Sequence, residues 1–246
     1  MHHEFSFLFH PVNALLAMLL GAPSAGWQHA MGTAEEGVWL PDHVIMAILV
    51  TLVIAVLALL ARRSFSLEKP SVLQQVFELV VSGLRGLTDD VIGHGHGLPY
   101  VGFIASLTLF IFVSNAFGLI FFLQPPTANL NTTAGLAITA FIFYHTVGLK
   151  TQGWRYFKQF VGPVWWLFPL MIPLEIISHS ARVLSLTLRL YGNIFAEHGA
   201  TGVFLGVLPI MVPAMMGLGV LGATIQTFIF IMLTTVYLSG AVAEDH

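Results

Sequence analysis

Between about residues 163 and 243 the chain is almost continuously apolar and carries four charged side chains, Glu175, Arg182, Arg189 and Glu197. An arginine near the middle of a hydrophobic helix costs roughly 2.5 to 3.5 kcal/mol even on the lenient insertion scale, so it needs a partner or a purpose. Composition supplies the setting. Over 246 residues, 9% are charged and 57% hydrophobic, with a mean hydropathy of +0.85, against about 25% charged in a soluble domain. The chain reads as an integral membrane protein. Its apolar runs are unbroken and helix-length, which excludes the alternating strands of a membrane barrel, and the expected class is all-α. No cysteine is present, so disulfides, thiolate metal sites and cysteine nucleophiles are ruled out.

Residues 1–42 contain Glu4, Glu35, Glu36 and Asp42 but no lysine or arginine. The run 14–20 is too short to cross a hydrocarbon core of about 30 Å. It imitates a signal peptide with a small-residue site at 21–25, but the basic n-region is missing, so a retained segment lying at the membrane interface is expected. The first span is placed at 43–61, ending at Arg62 and Arg63. From 70 to 92, apolar residues at 72, 73, 76, 77, 80, 81 and 84 follow the period of an amphipathic helix, expected along the cytoplasmic surface or against other subunits. His94 and His96 sit two apart in a glycine-rich turn, a pattern that solvated histidines share with metal ligands. A helical hairpin is expected over 99–149, broken by the loop around Pro125 and Pro126. In its first arm Asn115 either bonds a neighbouring helix or lines an aqueous path. Seven of the nine basic residues (62, 63, 69, 85, 150, 155 and 158) then fall on one side. By the positive-inside rule the N-terminus is outside and the C-terminus cytoplasmic.

Trp165 and Trp166 look like an interface anchor for the final run, and a helical pattern extends from about 164 to 198. Thirty-five residues would measure about 52 Å, longer than the membrane is thick. The run either breaks at Pro169 or Pro173 or lies steeply tilted; a second segment over 201–242 has the same excess, with Pro209 and Pro213 as possible bends. A tilted hairpin over 163–243 is preferred to four short spans, giving about five membrane-embedded helices plus the surface helix. At 100° per residue, Glu175, Ser178, Arg182, Ser185, Arg189 and Asn193 lie within about 40° of the Arg189 direction. Glu197 lies about 80° away and His198 opposite. A salt-bridge ladder fits poorly, because Glu175 and Arg182 are seven residues apart and Arg189 and Glu197 eight, beyond the three- or four-residue reach of helical pairs. A stand-alone proton-coupled transporter would show internal repeats or matched broken helices, and neither is visible. An enzyme would need a motif such as H-E-x-x-H, G-x-S-x-G or a phosphate-binding glycine loop, and none occurs. A proton path divided by a permanent positive charge fits better, since a guanidinium stays protonated and cannot relay the proton.

The stretch Ser185-Leu186-Thr187-Leu188-Arg189-Leu190-Tyr191-Gly192-Asn193 closely resembles the S-x-x-L-R-L-x-G-N signature of subunit a of F-type ATP synthases. Ile225-Gln226-Thr227-Phe228-Ile229-Phe230, then Thr234-Thr235-Val236-Tyr237-Leu238, is similar to that family's second block, and the 126–133 loop and Asn115 also match. The resemblance covers the chain from about residue 40. It implies a stator subunit with two offset half-channels, partnered by a rotating ring of c subunits, the b subunits of the peripheral stalk and membrane lipids. No cofactor, bound metal or nucleic acid is expected, and the nucleotide chemistry would belong to a separate head. By the same resemblance Arg189 is the essential charge that discharges each ring carboxylate. Asn193 and Gln226 are its polar neighbours, Glu197 and His198 serve the outside half-channel, and Glu175 serves the cytoplasmic one. Arg182, Ser185, Asn115 and Tyr237 are supporting candidates. One position departs from the pattern: seven residues before Gln226, some members carry His or Glu, and this chain has Gly219. The outside path is therefore expected to rest on Glu197, His198 and Asn193. A bacterial plasma membrane is the expected host.

Overall fold

The computed structural model describes residues 8–24, 31, 38–63, 65–66, 70–93, 95, 97–120, 123–157 and 168–242. His94, His96, Trp165 and Trp166 lie outside the described residues, as do most of 1–7 and 25–37. Among the described residues seven α-helices follow in order: α1 (Phe9–Leu20), α2 (Asp42–Arg63), α3 (Val72–Ile92), α4 (Leu98–Phe117), α5 (Leu130–Gln152), α6 (Phe168–Val207) and α7 (Val212–Val242). The described residues contain no strand. Four of these helices, α2, α4, α5 and α7, are long and apolar enough to cross a membrane. The protein is an all-α integral membrane protein.

Local chemistry sets the ends of these helices. Asp42 lies in the first turn of α2 and Arg62 and Arg63 in its last, each sign matched to the helix dipole. Ser71 caps α3 by accepting from the Gln74 N–H at 3.2 Å, and Asn129 caps α5 by accepting from the Asn131 N–H at 2.9 Å. These side chains satisfy backbone donors that the first helical turn leaves unpaired. The short α1 is held by one buried amide. Asn13 Oδ1 accepts from the N–H groups of Trp39 and Leu40, and its Nδ2 donates to the carbonyls of Phe9 and Leu40.

The bundle core is built from α3, α4, α5 and the paired α6 and α7. Ala137 and Ala140 of α5, both fully buried, let it approach α6 and α7, where Leu186, Leu190 and Phe230 complete one cluster. Small residues serve that purpose in membrane bundles. A second cluster joins Leu84, Ile104, Tyr144, Tyr156, Ile231 and Leu238. Gly148 belongs to it through close approach, because a Cβ at that position would strike the Tyr156 ring. The lower part of α7 is tied in by Ser239 Oγ donating to the Val91 carbonyl and by Gln152 Nε2 donating to the Ala241 carbonyl.

Of the two alternatives for the long run, the unbroken one holds at Pro173, which lies inside a continuous 40-residue α6; a proline there removes one backbone bond near the helix start, and the flanking turns carry on. One boundary departs from expectation. Residues 201–207 belong to α6 rather than opening the last segment, so the reversal falls at Leu208 and the 3-10 turn Pro209–Met211. Gly199 and Gly202 are tolerated inside the helix, and Pro209 with its missing N–H stops it. Pro213 then fits the first turn of α7, where prolines are at home. In α3 the helical period is as read: Val72, Val76 and Val81 are exposed, and Leu84 is buried in the core.

Candidate functional site

The register of α6 against α7 follows from individual contacts. Arg182 stacks over the Tyr237 ring at 5.0 Å, and Leu190 shares a cluster with Phe230. Asn193 Nδ2 comes within 3.6 Å, and Glu197 Oε2 within 3.9 Å, of the place a Cβ would occupy on Gly222. As positions rise along α6 they fall along α7, so the two helices run antiparallel. The polar residues of the apolar run are thereby strung along one seam, with Arg189 between two groups.

Arg189 itself is exposed, and its one hydrogen bond, Nη2 to Ser185 Oγ, is long at 3.5 Å. Among the described residues it has no carboxylate partner; the two acid–base pairs present are Arg85 with Asp89 and His179 with Glu175. The salt-bridge ladder that spacing disfavoured is absent from the described residues. The exposed side chains of α6 and α7 are largely apolar, Leu184, Leu188, Phe195, Leu221, Ile225 and Phe228 among them. Gln226, by contrast, is buried at 5% exposure, and Asn193 Nδ2 is buried without a hydrogen-bond partner.

Toward the Pro209 turn, Glu197 points into space that Gly219 leaves open. A Cβ on Gly219 would collide with Glu197 Oε1 and approach Leu119 Cδ2 to 2.9 Å. The departure at Gly219 is thus filled from across the interface, by the carboxylate of the neighbouring helix. Asn193 and Glu197 both face Gly222, so Glu197 is not turned away from the polar stripe; one helical turn separates the two residues and their side chains share a face. His198 Nδ1–H donates to the Ile194 carbonyl at 3.0 Å, which leaves Nε2 as an acceptor. Glu197 and His198, with Gly118, Leu119, Thr201, Val212 and Met216, line a cavity of about 40 Å³, room for one or a few waters.

At the other end Glu175 is joined to a group that the sequence reading passed over. Glu175 Oε1 lies 3.0 Å from His179 Nε2, and His179 Nδ1 lies 3.1 Å from the Tyr144 hydroxyl on α5. Beside them His145 Nδ1 meets the Tyr156 hydroxyl at 2.6 Å, and the His145 and His179 rings are 4.8 Å apart. Burial raises the Tyr156 phenol above its ordinary range, so it keeps its proton beside His145. The Glu175–His179 pair was open to detection, because four residues is contact spacing on a helix. The Tyr144 link, 35 residues away on another helix, had no such signal.

Of the supporting candidates, Arg182 and Tyr237 are in contact, and Ser185 touches Arg189. Asn115 resolves toward the packing alternative: it is 2% exposed, and its Oδ1 accepts from Thr127 Oγ1 at 2.8 Å. It fastens the Pro126–Ala128 turn to α4. No group of three or more metal-ligating side chains assembles among the described residues.

The sequence profile of the ATP synthase A chain matches residues 44–239. The chain is 46% identical over 205 residues to "ATP synthase subunit a 1" of Syntrophotalea carbinolica, covering 83% of this chain and 87% of that one. It is 40% identical over 206 residues to "ATP synthase subunit a" of Geotalea uraniireducens, covering 83% and 89%. Against the protein of that name from Geobacter sp. strain M21 it is 40% identical over 219 residues, covering 89% and 93%. With the profile spanning most of the sequence and relatives matched over nearly their whole length, the chain belongs to the ATP synthase A chain family, a family of proton-translocating components of ATP synthase.

Proposed function

We propose that this chain is the stator subunit through which protons cross the membrane in two offset half-channels, with Arg189 separating them against a rotating c-ring. The observation that carries the proposal is the state of Arg189: an exposed guanidinium on a helix whose exposed side chains are largely apolar, with no anion beside it among the described residues. A counter-charge supplied by another subunit fits that state. A ring carboxylate stays neutral while it faces lipid, because ionisation there is costly, and it ionises beside a fixed positive charge in a wet site. Arg189 would therefore force each passing carboxylate to release its proton, and it cannot carry that proton itself.

In this scheme the water-sized cavity at Glu197 and His198 belongs to the outside half-channel. Asn193 and Gln226 line the approach to Arg189, and Glu175 belongs to the cytoplasmic half-channel. The excess of basic residues on one side supports an N-terminus outside and a C-terminus in the cytoplasm, in a bacterial plasma membrane. The partners are the c-ring, the b subunits of the peripheral stalk and the rest of the ATP synthase. Replacing Arg189 by Ala removes the divider, so ATP-driven proton pumping by membrane vesicles should fall by about a hundredfold or more. Normal pumping by that variant would overturn the assignment.

A further inference from the structure

We infer that His179 is a positioning residue for Glu175, holding its carboxylate through Nε2–H while the Tyr144 hydroxyl fixes the tautomer that keeps the proton on that nitrogen. The inference rests on the proposal that Glu175 lies on a proton path. The three groups form one line across two helices: Tyr144 Oη to His179 Nδ1 at 3.1 Å, then His179 Nε2 to Glu175 Oε1 at 3.0 Å. Tyr144 is 3% exposed; the His179 side chain is 9% and the Glu175 side chain 30% exposed. The line therefore starts in the bundle core and ends at the group with access to solvent.

A neutral imidazole has one donor nitrogen and one acceptor. When the Tyr144 hydroxyl donates to Nδ1, the ring proton belongs on Nε2, facing Oε1. The opposite tautomer would set a lone pair against the carboxylate oxygens. With Oε1 engaged, Oε2 is the atom left to take up and release a proton, and among the described residues it has no hydrogen-bond partner. The same division of labour, in which a third group orients an imidazole that serves the reacting atom, operates in hydrolase triads. Tyr144 is buried, so the line is assigned to holding Glu175 rather than to conduction.

Among the described residues, the other titratable and charged groups facing His179 include Arg182 on its own helix, His145 on α5, Tyr156 in the turn after α5, and Tyr237 on α7, whose ring lies 6.1 Å from that of Tyr144. All are retained in the variants below. Arg182 also hydrogen-bonds Tyr144, so the His179 variants, which leave that bond in place, carry the comparison and Tyr144→Phe supports it.

The test is passive proton conductance of membranes carrying the assembled membrane sector, with the soluble head stripped away. Conductance is measured against pH on the cytoplasmic side and normalised to the amount of subunit bound to the ring. His179→Gln keeps an N–H donor near the position of Nε2 but cannot titrate; it should retain at least about half the wild-type conductance, with its pH profile nearly unmoved. His179→Ala should lose about fivefold and move the acid limb of the profile to higher pH by about one unit, as expected when an anion loses a charge-assisted hydrogen bond. Tyr144→Phe keeps the ring in the core and should shift the profile in the same direction by less. Combined with His179→Gln it should add nothing further, because there is no tautomer left to fix.

Equal losses in His179→Gln and His179→Ala would mean that the imidazole itself passes the proton, and would overturn the positioning role. Wild-type profiles in His179→Ala and Tyr144→Phe would overturn it as well. Glu175→Gln distinguishes the two ways of failing. A normal conductance there removes both the path assignment and this inference, whereas an impaired Glu175→Gln beside a normal His179→Ala removes the inference alone.

Discussion

The two ends of the α6–α7 hairpin hold a partly buried acid in opposite ways. At the Pro209 end Glu197 occupies open space: the room is left by Gly219, the walls include Leu119, Thr201, Val212 and Met216, and about 40 Å³ remains beside it. Away from the turn Glu175 is held by bonding, through His179 to Tyr144, with His145, Tyr156 and Arg182 packed around it. A group held by shape alone is sensitive to volume, and a group held by a network is sensitive to the loss of single donors. The difference also bears on water. An acid with a cavity beside it can exchange protons with trapped water, whereas an acid whose oxygen is already bonded is tuned by that partner.

Volume should therefore be the decisive variable at the Pro209 end. Gly219→Leu places a side chain where Glu197 Oε1 and Leu119 Cδ2 now sit. It displaces the carboxylate and fills the cavity together, so ATP-driven pumping should drop by about thirtyfold. Gly217, with nothing within 4 Å of its added Cβ, is the control, and Gly217→Leu should cost little. The exchange Glu197→Gly with Gly219→Glu returns a carboxylate to the same space from the other helix, and should recover about tenfold over Glu197→Gly alone. Failure of that recovery would show that the acid must come from α6, and the idea of a space shared between the helices would fall.

Removing charge at the same place should have the next largest effect. Glu197→Gln preserves shape and removes the titrating oxygen, and coupled proton transport should fall by about tenfold at neutral pH. His43→Ala alters a separate apolar cavity of about 310 Å³ between α2 and Thr132, where no acid sits, and should leave transport within about twofold of normal. Equal effects of the two variants would reduce Glu197 to a structural residue, and the contrast between the hairpin ends would have to rest on volume alone.

Much of this arrangement was legible in the residues and some was not, for physical reasons. Hydropathy located the spans, because a membrane requires unbroken apolar length. The helical wheel brought Arg182, Ser185, Arg189 and Asn193 onto one seam because they share a single helix, within which angular arithmetic holds. The reversal at Leu208 was misplaced because Gly199 and Gly202 resemble a break, although neither removes a hydrogen-bond donor as Pro209 does. The space at Gly219 read as a missing acid, since an absent side chain carries no sign of what enters it from across the interface. The Tyr144–His179 bond joins residues on different helices, and no periodicity links them.

The smallest effect expected lies on the α4 side of the Pro209 end. Asn115 could have been an aqueous-path residue, but it accepts from Thr127 Oγ1 and fastens the Pro126–Ala128 turn beside α4. Thr127→Val is nearly isosteric and leaves Asn115 Oδ1 buried without its donor, in addition to the Nδ2 that already lacks a partner. That should destabilise the fold by about 1 to 3 kcal/mol, seen as earlier thermal release of the subunit from detergent-solubilised complex, while pumping at ordinary temperature stays within about twofold. The turn supports the wall from which Gly118 and Leu119 reach the Glu197 cavity. A pumping loss as large as that of Glu197→Gln would therefore mean that Asn115 and Thr127 carry protons. The outside path would then extend across α4, and the cavity at Glu197 would be one station on a longer route.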